Sequence, residues 1–100
     1  MQHFTLSRCV AGKAKFVIVN DKTGHRVRFG MKGYHDFTQH HEVKRKQSYL
    51  QRHSKDSRSV KKAGFWARSL LWNQPTLKKS IAHVEKARAI KIKSLFKVPN

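Results

Sequence analysis

The sequence predicts a small α+β domain, in which an N-terminal β-hairpin packs on a three-helix subdomain and both termini are flexible. Two runs of strand composition, 15–19 and 25–29, enclose turn residues and predict the hairpin. Three later segments carry apolar residues at helical spacing. The segment 63–77 holds both tryptophans, a phenylalanine and three leucines, the side chains that bury the most apolar area. We therefore expect the core to centre on Phe65, Trp66, Leu70, Leu71 and Leu77.

The second strand of the hairpin carries the clearest pattern. Residues 25–29 alternate between polar and apolar in steps of two, which is the period of a half-buried strand. Val27 and Phe29 then lie on the core face. Arg26 and Arg28 lie side by side on the opposite face, in solvent.

The first predicted helix covers 39–53 and has one narrow apolar stripe among its cations, as in a surface helix. Asp36 or Thr38 can cap its start. The segment 54–62 that follows is polar and basic, and we expect it to form a mobile loop.

The other two predicted helices cover 65–72 and 75–88. The first of these is apolar almost all round, which is typical of a buried helix. The second starts with Pro75 at the first helical position, where the missing N–H costs nothing. Its apolar stripe comprises Leu77, Ile81, Val84 and Ala87.

We expect one domain over residues 13–88, with an N-terminal arm at 1–12 and a C-terminal tail at 89–100. Both end segments carry apolar side chains but little for them to pack against. The even spacing of apolar residues near the N-terminus also fits a strand, and the alternation over 90–93 fits a strand or a fraying helix, so these alternatives stay open.

The composition is dominated by positive charge. Lys and Arg number 23 against 5 Asp and Glu, which gives a formal net charge of +18. A chain of this charge needs an anionic partner, namely nucleic acid, an acidic protein surface or anionic lipid. The single cysteine, Cys9, can form no disulfide within the chain, and no window approaches the ~18 apolar residues of a membrane span. We expect the protein to be kept in the cytosol or nucleus, or in a particle assembled there.

Many of the cations lie in the middle of the chain, where they can neutralise phosphates and release counterions. The alternative is a solvated, solubilising surface. Nothing indicates base-specific readout, and the 54–62 loop is too long for a helix-turn-helix. The candidate nucleic-acid-binding residues are Arg26, Arg28, Lys44, Arg45, Lys46, Arg52, Lys55, Arg58, Lys61 and Lys62.

The aromatic side chains could stack on bases, but such clusters more often form a core, which is our interpretation of Phe65 and Trp66. Trp72 and Tyr34 are candidate contacts with another protein, because tryptophan is common in interface hot spots.

We predict neither an enzyme nor a metal or cofactor site. The sequence has no paired carboxylates, nucleophile elbow or glycine-rich phosphate loop. His40 and His41 would point about 100° apart on a helix, and no Cys/His spacing fits structural zinc.

Three groups of residues carry a resemblance to a known family. They are Phe29-Gly30 with Gly33-Tyr34 and Thr38; Lys44-Arg45-Lys46 with Tyr49 and Arg52-His53; and Ala63-Gly64-Phe65-Trp66-Ala67-Arg68 with Leu71-Trp72-Asn73, Pro75-Thr76-Leu77 and Ser80-Ile81. Over about residues 14–86 the chain resembles small basic proteins of large nucleocytoplasmic DNA viruses, a family without an established function. The resemblance implies a viral origin and a component of the virion.

Two functions follow as expectations. The first is a non-catalytic, sequence-independent nucleic-acid-binding protein that contacts phosphates through Arg and Lys and packages the viral genome in the virion. The alternative is a minor capsid protein, whose basic surface binds acidic capsid proteins or the inner membrane and whose loose arms thread between neighbours. Membrane contact is compatible with the charge but is not predicted.

Overall fold

The computed structural model describes residues 1–55 and 58–99. The strands are β1 (Gln2–Arg8), β2 (Ala14–Asn20), β3 (Arg26–Met31) and β4 (Ile90–Ser94). The helices are α1 (Phe37–His40), α2 (Val43–Arg52), α3 (Ala63–Trp66) and α4 (Leu77–Arg88), and a π-helical segment, Ala67–Leu71, continues α3.

The four strands form one mixed sheet in the order β3-β2-β1-β4. β2 pairs antiparallel with both β1 and β3, whereas β4 runs parallel to β1. On the open edge of the sheet, the Glu85 carboxylate accepts a hydrogen bond of 2.9 Å from the backbone N–H of Ile92 in β4. A side chain of α4 therefore satisfies part of an edge that would otherwise be available for pairing.

The core lies between one face of this sheet and the helical segments after residue 62. Trp66 is fully buried, and its ring meets Phe4 edge-on with the centroids 5.0 Å apart. Its indole N–H donates to the carbonyl of Val60 at 2.8 Å, so the polar atom of this buried side chain is satisfied. The buried cluster comprises Phe4, Leu6, Ile18, Val27, Phe29, Phe65, Trp66, Leu70, Leu71, Leu77, Val84 and Ile90.

The α+β class and the hairpin of β2 and β3 are confirmed. Val27 and Phe29 are buried and Arg26 and Arg28 are exposed, as the alternation predicts. The five residues expected to centre the core are all buried.

The first predicted helix is divided in two. His41 adopts the left-handed conformation with φ 56°, ends α1, and leaves α2 to start at Val43. Asp36 is the N-cap of α1, as expected, and forms a capping box with Gln39. Of the predicted loop 54–62, residues 56 and 57 lie outside the described part of the chain.

Two details of the later helices differ from the prediction. Pro75 does not begin α4, because Thr76 is the N-cap and its hydroxyl accepts from the N–H of Lys79 at 3.1 Å. Ala87 is exposed, and the buried stripe of α4 instead comprises Leu77, Ser80 and Val84. The polar side chain of Ser80 can be buried there because its hydroxyl accepts a hydrogen bond of 3.0 Å from the N–H of Gln74.

The expectation of loose arms at 1–12 and 89–100 is wrong where these segments form strands. β1 is an inner strand and buries Phe4 and Leu6, and β4 buries Ile90 against the same core. The apolar side chains of the two ends have partners after all, because the ends pack on one another and on β2. Residue 100 lies outside the described range.

Candidate nucleic-acid interface

An open groove with a volume of about 800 Å³ lies between β3 and α2, and we call it the basic groove. α2 contributes one face, because its lining residues follow the helical spacing of three and four. The described residues that line it include Arg28 and Met31 of β3, Tyr34 and His35 of the connector, Lys44, Arg45, Ser48, Tyr49 and Arg52 of α2, His53, and Leu71 and Trp72.

Four of the ten predicted cations meet in this groove: Arg28, Lys44, Arg45 and Arg52. All four are exposed. Arg45 pairs with Glu42 at 3.1 Å on the surface, an interaction worth little in water. Among residues 1–55 and 58–99, the ion pairs involve none of the other three. The groove therefore offers positive charge that the described part of the chain does not neutralise.

The one acidic side chain among the described lining residues, Asp36, is already paired with other residues of the chain. It is 4% exposed and accepts from the N–H and the hydroxyl of Thr38. The ammonium of Lys15 lies 2.8 Å from its carboxylate and 2.9 Å from Oε1 of Gln39. This pair ties the connector to β2, so that Tyr34 and His35 are held at the rim of the basic groove.

A stack of aromatic rings forms one wall. The rings of Tyr49 and Trp72 are parallel within 3°, with their centroids 4.2 Å apart. His53 stacks on Tyr49 at 4.2 Å, and His40 lies against Trp72 at 5.3 Å. Trp72, a predicted contact with another protein, is thus half-buried within its own chain. Tyr34, the other one, is 68% exposed at the rim.

Lys46 is not among the residues that line the groove. Its ammonium donates to the backbone carbonyl of Asn73 and lies 4.9 Å from the centre of the Phe37 ring. The structure therefore places this predicted phosphate ligand in a contact that joins α2 to the segment before α4.

The remaining predicted cations are spread over other surfaces. Arg26 lies on the sheet face opposite the core. Lys55, Arg58, Lys61 and Lys62 are exposed between α2 and α3, and none of them is among the residues that line the basic groove.

Sequence reasoning missed several lining residues, notably Lys15, Tyr49 and His53. One signal was available, since Arg45, Tyr49 and His53 follow one another at intervals of four and so share a face of a helix. Nothing local to Lys15 indicates its pairing with Asp36, which is distant in sequence.

His40 contacts Trp72 of the aromatic wall but does not line the basic groove itself. Its side chain is 6% exposed, and Nδ1 accepts from the backbone N–H of Glu42 at 2.9 Å. Nε2 is buried and has no hydrogen-bond partner among the described residues. Burial lowers the pKa of His40, and the nearby positive charge of Arg45 lowers it further, against the opposing effects of Glu42 and Asp36.

This pKa predicts that stability falls in acid. Because the pKa of folded His40 lies below its ordinary 6.5, protons bind the unfolded chain more readily. His40 should therefore not reduce the free energy of unfolding above about pH 6.5. As the pH falls below that value, His40 should lower this free energy. Urea denaturation at a series of pH values checks this, with His40→Asn as the comparison, since an Asn oxygen can accept the same N–H and does not titrate. An equally steep acid loss in His40→Asn would assign the effect to other groups.

Within the described residues, no group of three or more His, Cys, Asp or Glu is arranged to hold a metal ion. None of the helices in residues 1–55 and 58–99 has the length and apolarity that crossing a bilayer requires.

The fold and the groove together define a small α+β domain with a basic, aromatic-walled groove. A family model described as a family of unknown function (DUF5754) matches residues 6–53, slightly less than half of the chain. The match extends from within β1 to the end of α2, so it includes the four groove cations and Tyr34 but not Trp72. No curated protein and no solved structure matches the chain.

Proposed function

We propose that this protein binds nucleic acid without catalysis and without sequence preference, by holding phosphates in the basic groove. The observation that supports this most directly is the convergence of Arg28, Lys44, Arg45 and Arg52 on one groove whose acidic side chain is already paired. Arginine and lysine at such a site release counterions from the phosphate backbone, which drives binding whatever the sequence.

The shape of the groove favours a single strand. A cavity of about 800 Å³ is of the size that holds a small molecule, so a few linked nucleotides fit into it and a whole duplex does not. Tyr34, exposed at the rim, offers a ring face on which a base can stack. The stack of Tyr49 on Trp72 fixes the position of α2, the helix that carries Lys44, Arg45 and Arg52.

The test is a triple variant of the α2 cations, Lys44→Gln, Arg45→Gln and Arg52→Gln. Glutamine keeps much of the length of the side chain and removes its charge. We expect the slope of log affinity against log salt for a single-stranded oligonucleotide to fall by about 2, at about 0.7 for each phosphate that is no longer neutralised. Fluorescence anisotropy titrations at several salt concentrations measure this slope.

The matched control replaces Lys78, Lys79 and Lys86, exposed cations of α4, with glutamine. Both triples lower the formal charge by the same three units, so a general reduction of positive charge affects them equally. If the two triples reduce the slope to the same extent, binding comes from net charge and the basic groove has no special role.

Packaging of a viral genome in the virion is the biological setting that we propose for this activity, and it depends on the viral resemblance. The minor-capsid alternative relied on a basic surface and on loose arms that thread between neighbours. The support from the arms is lost where they form β1 and β4, so we favour the nucleic-acid-binding function.

A further inference from the structure

The sheet has a second face, opposite the core, with cations along both of its margins. One register row crosses all four strands as Arg26 of β3, Val19 of β2, Thr5 of β1 and Lys93 of β4. A cation thus stands at each end of the row, and Lys91 lies two residues from Lys93 on the same strand and face. We call the surface formed by Arg26, Val19, Thr5, Lys91 and Lys93 the outer face.

The outer face presents its charge to solvent. Arg26, Lys91 and Lys93 are exposed, while the uncharged side chains of Val19 and Thr5 form a half-buried floor between them. The helical segments after residue 62 pack on the other side of the sheet with the core. An acid, Asp21, also reaches this side, where its carboxylate accepts from the hydroxyl of Thr5 at 2.6 Å.

The spacing of the margins indicates the kind of partner. Three strand spacings of about 4.8 Å place the backbone positions of Arg26 and Lys93 about 14 Å apart. The two phosphate backbones of a DNA duplex border a major groove about 12 Å wide. Arg26 on one margin and Lys91 with Lys93 on the other can each reach one backbone, while Val19 and Thr5 span the groove between them.

We propose that the outer face binds duplex nucleic acid across its major groove, so that one molecule holds a duplex on the sheet and a single strand in the basic groove. Duplex binding by the outer face is independent of the basic groove, whereas joining the two segments rests on the proposed function as well. An anionic bilayer fits less well, because Val19 is half-buried and Val17, the next valine on this face, is only 7% exposed. The exposed Leu95, two residues beyond Lys93, is a single apolar side chain and gives little area to insert.

The test uses the triple variant Arg26→Gln, Lys91→Gln and Lys93→Gln, beside the α2 and α4 triples described above. Arg28 is left unchanged because it also lines the basic groove. With a short duplex as the probe, we expect the outer-face triple to lower the salt slope by about 3, at about 0.9 for each phosphate contact. Its slope for a single strand should stay close to that of the unmodified protein.

Two further measurements separate charge from folding. The variant Arg26→Lys with Lys91→Arg and Lys93→Arg keeps the charges and should keep duplex binding. Circular dichroism and thermal unfolding of the glutamine triple check that the edge strand β4 still forms. Equal reduction of duplex affinity in the outer-face and α4 triples would overturn the proposal, as would tighter binding of the outer face to anionic vesicles than to duplex.

Joining of two segments is measured by capture of a labelled single strand on beads that carry duplex. The unmodified protein and the α4 triple should capture the strand, and the outer-face and α2 triples should each fail. If the α2 triple binds both probes normally and the outer-face triple does not bind duplex, the proposed groove function fails while the duplex face stands. Capture by the outer-face triple would contradict the duplex face.

Discussion

Replacement of Trp66 with alanine is expected to lower the free energy of unfolding by about 3–5 kcal/mol, the range for truncating a buried aromatic side chain. Trp66 is fully buried between sheet and helices, with Phe4 and Phe65 at 5.0 and 4.9 Å between ring centroids. A domain of this size has a total stability of about 5–15 kcal/mol. The variant should therefore be close to unfolding, and urea denaturation followed by circular dichroism measures the change.

Trp66→Phe is the matched comparison. It keeps most of the apolar volume and removes the N–H that the Val60 carbonyl accepts. An acceptor left without its donor costs about 1–3 kcal/mol, so this variant should fall between the wild type and Trp66→Ala. A decrease below about 1 kcal/mol in Trp66→Ala would show that the core does not depend on this residue.

The second large effect is expected at Gly30, which lines the basic groove at the end of the hairpin. Gly30 has φ +74°, and a Cβ placed on it would lie 2.9 Å from Cδ1 of Leu71 and 3.3 Å from Cβ of Lys15. Gly30→Ala should destabilise the protein by about 2–4 kcal/mol, since left-handed backbone strain adds to overpacking. Thermal and urea unfolding both report this destabilisation.

Gly24→Ala separates the two contributions. Gly24 has nearly the same φ of +75°, and a Cβ there meets no described atom within 4 Å. We expect this variant to show only the backbone part, about 1–2 kcal/mol. If both variants are destabilised equally, the side chain of Leu71 can move away from the added methyl group at little cost. The contact with Leu71 would then add nothing to the backbone strain.

The hairpin could be predicted because its signal is local. The alternation from Arg26 to Phe29 and the turn before it lie within one short window. β1 and β4 give only short alternating patterns, and they become strands by pairing with each other across most of the chain. Strand formation depends on such neighbours more than on intrinsic preference, so the sequence left loose ends as an equal alternative.

The residues of the basic groove could likewise be predicted only within single elements. Lys44, Arg45 and Arg52 could be assigned to one basic helix, and Arg28 to the exposed side of a strand. That these two elements face each other across a groove depends on tertiary packing. The break at His41 was also hidden, because a left-handed histidine has no distinctive neighbour in the sequence.

The parallel pairing of β1 with β4 has a consequence for biosynthesis. The inner strand β1 is synthesised well before its partner on one side, which is made only at residues 90–94. Until then the nascent chain exposes one edge of β1, and Phe4 lacks its neighbour Ile92. Closure of the sheet must therefore wait until residues 90–94 have been synthesised, and long-range pairing of this kind slows folding.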